Sequence, residues 1–172
     1  MSLNALVADV GGTNIRLGIA DLEDLSISQI LSYQCADFAN IDAAIQQYID
    51  DSNVEFELAC IDVATAVTGD VVSLTNNHWE FSQAKLQQQF GLKKLIVIND
   101  FTAIAMSVPN IPADNKVQIG GSEALDGKPI AIYGAGTGLG VAHLVHSGEK
   151  WIPLGGEGGH VDFAPVDQDE VT

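Results

Sequence analysis

The sequence predicts an α/β protein with a small N-terminal domain and the start of a second, incomplete one. Three observations predict it. Three short apolar runs follow one another at the N-terminus with only short links between them. From residue 41 the apolar spacing turns helical and then alternates between helix and strand. From residue 111 glycine becomes frequent and long helical patterns stop. That shift places a boundary near residue 110, giving domains of 1–110 and 111–172.

Ala5 to Asp9 is an apolar strand entering a tight turn at Gly11-Gly12. Ile15 to Ala20 and Ile27 to Tyr33 are the next strands, and their short links predict an antiparallel meander. Ile41, Ala44, Ile45, Tyr48 and Ile49 recur at helical spacing, with Asn40 or Asp42 as cap. Leu58 to Ala64 returns to strand. Ser82 is placed to cap a helix that runs to Phe90 and stops at Gly91. Lys94 to Ile98 is a buried strand, and Phe101 to Val108 a helix ended by Pro109. Three leading strands exclude a plain Rossmann unit, which alternates from its start. Pro129 to Tyr133 and Val141 to His146 are strands separated by Gly134–Gly140, with His143 and His146 on opposite faces as structural residues. Nothing after residue 110 supplies enough helix to cover a second sheet. The unfinished domain is expected to expose apolar surface and favour a homo-oligomer, a dimer.

Composition narrows the function. Of 172 residues, 47% are hydrophobic and 17% charged, which excludes disorder. Seven basic residues against 23 acidic ones give a formal charge of -16, which argues against nucleic acid and anionic membranes as partners. It leaves room for a phosphate ligand, because local amides or a cation can overrule the global field. Two cysteines without CxxC spacing imply neither a disulfide framework nor structural zinc. With no membrane-length apolar stretch and no signal-peptide pattern, the expected location is cytoplasmic.

Four segments carry candidate chemistry. Asp9-Val10-Gly11-Gly12-Thr13-Asn14 lies between two strands, where glycines permit unusual φ and close backbone approach. Its amides can form an anion nest, Thr13 adds a hydroxyl, and Asp9 can position hydrated Mg²⁺. On the hexapeptide alone an ordinary Gly-Gly hairpin is slightly ahead. Gly134, Gly136, Gly138 and Gly140 alternate around Thr137. This run fails both the dinucleotide and Walker A patterns, yet four glycines would weaken a hairpin with nothing to hold, which favours phosphate contact. Asn99-Asp100 follows a strand and opens a helix. Asp100 alone reads as an N-cap, and it can also accept a proton from a substrate hydroxyl. Glu157 and His160 sit among Gly155, Gly156, Gly158 and Gly159. The glycines exclude a helical ExxH metal site and leave a sugar-facing loop or a solvated turn equally open. Asn76, His78 and Trp79 form a further polar-aromatic group, either a sugar contact or a turn with a packed Trp.

In this order, Val7–Asn14, Thr68–Asp70, Leu74–Asn76, Ile98–Ala103, Tyr133–Gly140 and Gly155–Asp162 resemble the bacterial glucokinase family of the hexokinase/actin-like superfamily. The cysteine-rich zinc motif of the related repressor/kinase branch is absent. The resemblance implies a ribonuclease-H-like (actin-like ATPase) fold, with sugar and ATP meeting between two domains. It implies a first phosphate loop at Ala8, Asp9, Val10, Gly11, Gly12 and Thr13, and a second at Gly134, Gly136, Thr137 and Gly138. Asn99, Asp100, Glu157 and His160 would hold D-glucose, with Asp100 as catalytic base and ATP and Mg²⁺ as cofactors. The implied reaction is phosphoryl transfer from ATP to the glucose 6-hydroxyl, the entry to glycolysis. Ala66 stands where family members often carry proline. Family chains run well beyond residue 172, so the isolated chain is expected to be inactive. A non-catalytic sugar-binding or regulatory remnant is the alternative.

Overall fold

The computed structural model describes residues 4–74, 77–136, 139–156 and 158–160. The chain divides into two compact units, Met1–Ala103 and Ile104–Thr172.

The first unit opens with the expected meander. Strands β1 (Asn4–Val10), β2 (Asn14–Asp21) and β3 (Ile27–Gln34) pair antiparallel in sequence order. Helix α1 (Ile41–Ser52) starts where Asn40 Oδ1 accepts the Ala43 amide at 2.9 Å. That bond satisfies one of the first-turn donors, so Asn40 rather than Asp42 is the cap. Strand β4 (Leu58–Val63) returns parallel to β1, and a short hairpin follows, β5 (Val71–Ser73) with β6 (Glu80–Ser82). Three-residue strands carry too little period to read from sequence, and this hairpin was not foreseen. Ser82 caps α2 (Gln83–Gln89), which stops before Gly91 at φ +61°, a left-handed backbone that glycine adopts without strain. Strand β7 (Lys94–Asn99) pairs parallel to β4 and leads into α3 (Asp100–Ser107). The sheet order is β3-β2-β1-β4-β7.

Strand alternation gives this sheet two unlike faces. One carries Leu6, Ala8, Val10, Ile15, Leu17, Ala59, Ile61, Val63 and Val97, all buried. Ile41, Ala44, Ile45 and Tyr48 of α1 join them in one cluster, as does Trp79, whose indole N–H donates to the Phe38 carbonyl at 3.2 Å. Each fully buried aliphatic side chain there contributes about 1.5–3 kcal/mol. The other face carries Val7, Asp9, Arg16, Gly18, Cys60, Asp62 and Ile98, which with neighbouring side chains line an open cavity of about 300 Å³.

In the second unit β8 (Ile130–Ala135), β9 (Leu139–His146) and β10 (Trp151–Leu154) form an antiparallel meander. Both strands flanking the glycine run extend into it: Gly134 pairs with Gly140 and Ala135 with Leu139. β10 was not expected; it is held by register pairs to β9, with the Trp151 ring edge-on to His146 at 4.8 Å. Val117, Ile119 and Leu125 are exposed. Among the described residues no helix is long and apolar enough to cross a membrane.

Candidate active site

Parallel pairing decides where the chemistry collects. Val10 of β1, Val63 of β4 and Asn99 of β7 stand in one row of the register, each the last residue of its strand. Neighbouring strands lie about 4.8 Å apart, so β1 and β7 end about 10 Å from each other. The glycine turn leaves β1 there, and Asp100 follows β7. Two further bonds close the edge. The Ala64 amide donates to the Val10 carbonyl at 3.2 Å, and Asn99 Nδ2 to the Thr65 carbonyl at 3.3 Å.

The first turn is tight and tethered. The Gly11 amide donates to the Asn14 carbonyl at 2.9 Å. The Gly11 carbonyl accepts from Asn77 Nδ2 at 3.3 Å and from Cys35 Sγ at 3.6 Å, and the Thr13 carbonyl accepts the Cys35 amide at 2.8 Å. Among the described residues, no acceptor takes the amides of Gly12 or Thr13. The expectation of unusual φ fails at Gly11, whose backbone is not left-handed, and a Cβ there would meet only the Asn14 carbonyl at an ordinary 3.5 Å. The fold itself therefore does not demand glycine at this position, which leaves close approach from outside as its use. Ala8 and Val10 turn their side chains into the core and can offer a ligand only backbone.

At the end of β7 the capping role falls to the neighbour of the expected residue. Asn99 Oδ1 accepts the amides of Phe101 at 3.0 Å and Thr102 at 3.2 Å. Asn99 is still strand, so its side chain stands over the helix start; Asp100 is already helical and is not the main cap. Asp100 Oδ1 accepts from the Phe101 amide at 2.7 Å and from Asn99 Nδ2 at 2.8 Å. Among the described residues its second oxygen takes no hydrogen bond, so it can accept a proton from outside.

Asp62 was missed. It stands directly across from Asp9 in the β1–β4 register, on the open face. Burial, then the charges of Asp9 and Asp100 and a hydrogen bond with Asp9, push its carboxyl up to about 7. Burial and Asp62 likewise push the Cys60 thiol up. A carboxylate inside the apolar run Leu58–Ala64 was the signal available in the sequence. Asp9 Oδ2 is ion-paired with Arg16 Nη1 at 3.0 Å, so hydrated Mg²⁺ at Asp9 would have to share its carboxylate with Arg16 and with Asp62. The fit is one of charge alone, from the neighbouring carboxyls of Asp9 and Asp62, and no group of three or more metal ligands forms among the described residues.

The second unit brings the other two candidate segments together. Gly158 to His160 is a single 3-10 turn seated on β9. A Cβ on Gly159 would lie 1.7 Å from the Leu139 carbonyl, and one on Gly158 3.0 Å from Val141 Cγ1. The bare glycines let the turn rest on the strand that ends the glycine hairpin. Thr137, Gly138, Asn76, Glu157 and the side chain of His160 lie outside the described residues.

The glucokinase family model matches residues 6–172. The chain belongs to the glucokinase family. The glucokinase of Tolumonas auensis is 53% identical over 171 residues, covering 99% of this chain and 53% of that relative. A glucokinase from an Antarctic psychrotroph, solved by crystallography, is 33% identical with a TM-score of 0.85, over 98% of this chain and 54% of that one. The glucokinase of Balamuthia mandrillaris, solved with glucose, is 26% identical with a TM-score of 0.67, over 97% of this chain and 51% of that one. The chain thus spans about half the length of the glucokinases it matches. Sugar kinases at 21% and 15% identity share the fold and show that alone. The ribonuclease-H-like, actin-like ATPase fold implied by the motifs is the one observed.

Proposed function

We propose that the protein is an ATP-dependent, cytoplasmic glucokinase that phosphorylates the 6-hydroxyl of D-glucose, with residues 1–110 acting as the small domain and residues 111–172 opening the large one. The row Val10–Val63–Asn99 carries the reading, because it sets an amide-lined turn and an available carboxylate about 10 Å apart on one sheet edge. That span suits a terminal phosphoryl group meeting a hydroxyl. The unpaired amides of Gly12 and Thr13 hold phosphate oxygens, and Gly134, Gly136, Thr137 and Gly138 form the second phosphate loop. Asn99, Glu157 and His160 read the sugar hydroxyls, and Asp100 takes the proton of the attacking hydroxyl. Asp9 would hold hydrated Mg²⁺, which would supply positive charge to offset that on the phosphoryl oxygens. Support comes from the glucokinase relatives and from one solved with glucose. A homodimer belongs to the same proposal, resting on Val117, Ile119 and Leu125 left in solvent.

Calorimetry with glucose and with MgATP separately, and a coupled assay for glucose 6-phosphate on a chain extended to the length of its relatives, test the reading. Binding of both ligands and formation of the product are expected. Glucose binding without nucleotide binding or turnover would overturn it in favour of a sugar-binding remnant.

A further inference from the structure

We propose that Asn77 is a positioning residue that aims the first glycine turn at the nucleotide; this deepens the proposed kinase reading and rests on it. Asn77 reaches the turn across 66 residues of sequence, donating from Nδ2 to the Gly11 carbonyl at 3.3 Å. Its other arm is fixed, since Oδ1 accepts the Trp79 amide at 2.8 Å, an Asx turn that sets the side chain's direction. Trp79 is itself immobilised. It is 1% exposed, its indole bonds the Phe38 carbonyl, and its own carbonyl accepts the Leu74 amide at 3.0 Å. Asn77 is thus a rigid strut between a packed tryptophan and the turn.

The consequence follows from peptide geometry. The Gly11 carbonyl and the Gly12 N–H share one planar, trans peptide unit and point in opposite directions. Pulling the carbonyl toward Asn77 turns the Gly12 N–H away from it. Cys35 reinforces the hold, with Sγ at 3.6 Å from the same carbonyl and its amide on the Thr13 carbonyl. An amide held in place beforehand stabilises a phosphate oxygen without reorganising when the ligand arrives.

The test uses a chain extended to the length of its relatives and the variant Asn77→Ser. A serine hydroxyl can still accept the Trp79 amide as an ST turn but is too short to reach Gly11. Losing one neutral hydrogen bond shifts an equilibrium by about two- to tenfold. The expected result is a KM for MgATP raised by about that factor, with kcat and the KM for glucose unchanged. Amide exchange at Gly11, whose N–H closes the turn, accelerates while the melting temperature holds. Asn77→Ala, which also loses the Asx turn, gives the same change or a larger one. Unchanged exchange at Gly11 overturns the strut. Faster exchange with an unchanged KM for MgATP overturns the role of the turn in nucleotide binding, and with it the inference. Equal rises in both KM values with a lower melting temperature reduce Asn77 to a fold residue. A parent chain with no response to MgATP removes the kinase reading itself, which the exchange measurement distinguishes from failure of the strut.

Discussion

The two faces of the five-stranded sheet differ by one residue of register and by almost everything else. Ile61 and Val63 point into the cluster with α1, where no water reaches them. Cys60 and Asp62, one step along the same strand, point into an open, largely apolar cavity that also holds the charged pair Asp9 and Arg16. The first face holds the sheet together by apolar burial. The second carries a carboxylate kept partly protonated near neutrality, an arrangement that costs stability and collects at functional sites. Substitutions on the two faces therefore separate folding from chemistry.

The largest expected effect is on the chemistry. In a chain extended to the length of its relatives, Asp100→Asn should lower turnover by roughly 10²–10⁴. Stability should barely change, because an amide oxygen still accepts the Phe101 N–H. Near-normal turnover in a coupled assay would remove Asp100 as the base and blur the contrast between the faces.

Ile61→Ala comes next and acts on the other face. It leaves a cavity in the buried cluster and should cost about 2–5 kcal/mol, read as a lower denaturant midpoint. Cys60→Ala, one residue away and only half buried, should cost clearly less. Equal losses would mean the open face is packed as firmly as the core.

Asp62 gives the comparison a pH dependence. Its carboxyl rises from 3.8 in the unfolded chain to about 7 in the folded one, so the native state binds the proton more tightly. The contribution of Asp62 to stability is full below pH 4 and is lost as pH rises through 7. Asp62→Asn cannot ionise, so it should match the parent near pH 4 and exceed it at pH 8 by about 1–2 kcal/mol, after allowance for solvent screening. Parallel denaturation curves at both pH values would show that Asp62 is solvated like any surface carboxylate.

The smallest effect sits at the edge where the faces meet. Gly11→Ala introduces a Cβ that touches only the Asn14 carbonyl at 3.5 Å. Melting should stay close to the parent, while the KM for MgATP rises several-fold as the methyl group obstructs phosphate approach. A variant with unchanged nucleotide kinetics would return the turn to an ordinary hairpin.

The sequence by itself determined the long elements of the first unit and the candidate residues along them. Apolar spacing set β1 to β3, α1, β4 and β7, because strand and helix periods are local properties of consecutive residues. Ser82 and Gly91 marked the ends of α2 for the same reason, since capping is local. The short strands β5 and β6 escaped, and so did β10: three or four residues hold too little pattern to mark a strand, even where the partner is the next strand in the chain. Tertiary structure alone decided which residues meet. That Val10, Val63 and Asn99 share a row is a fact of parallel pairing across 89 residues of chain, which no local pattern encodes. The same holds for Asp62 against Asp9 and for Asn77 beneath Gly11. In the sequence Asp62 is a single polar residue within an apolar run, and Asn77 is one of two adjacent asparagines. Each acquires its role from a neighbour distant in sequence, because sheet register and turn tethers are set by the packing of the whole unit.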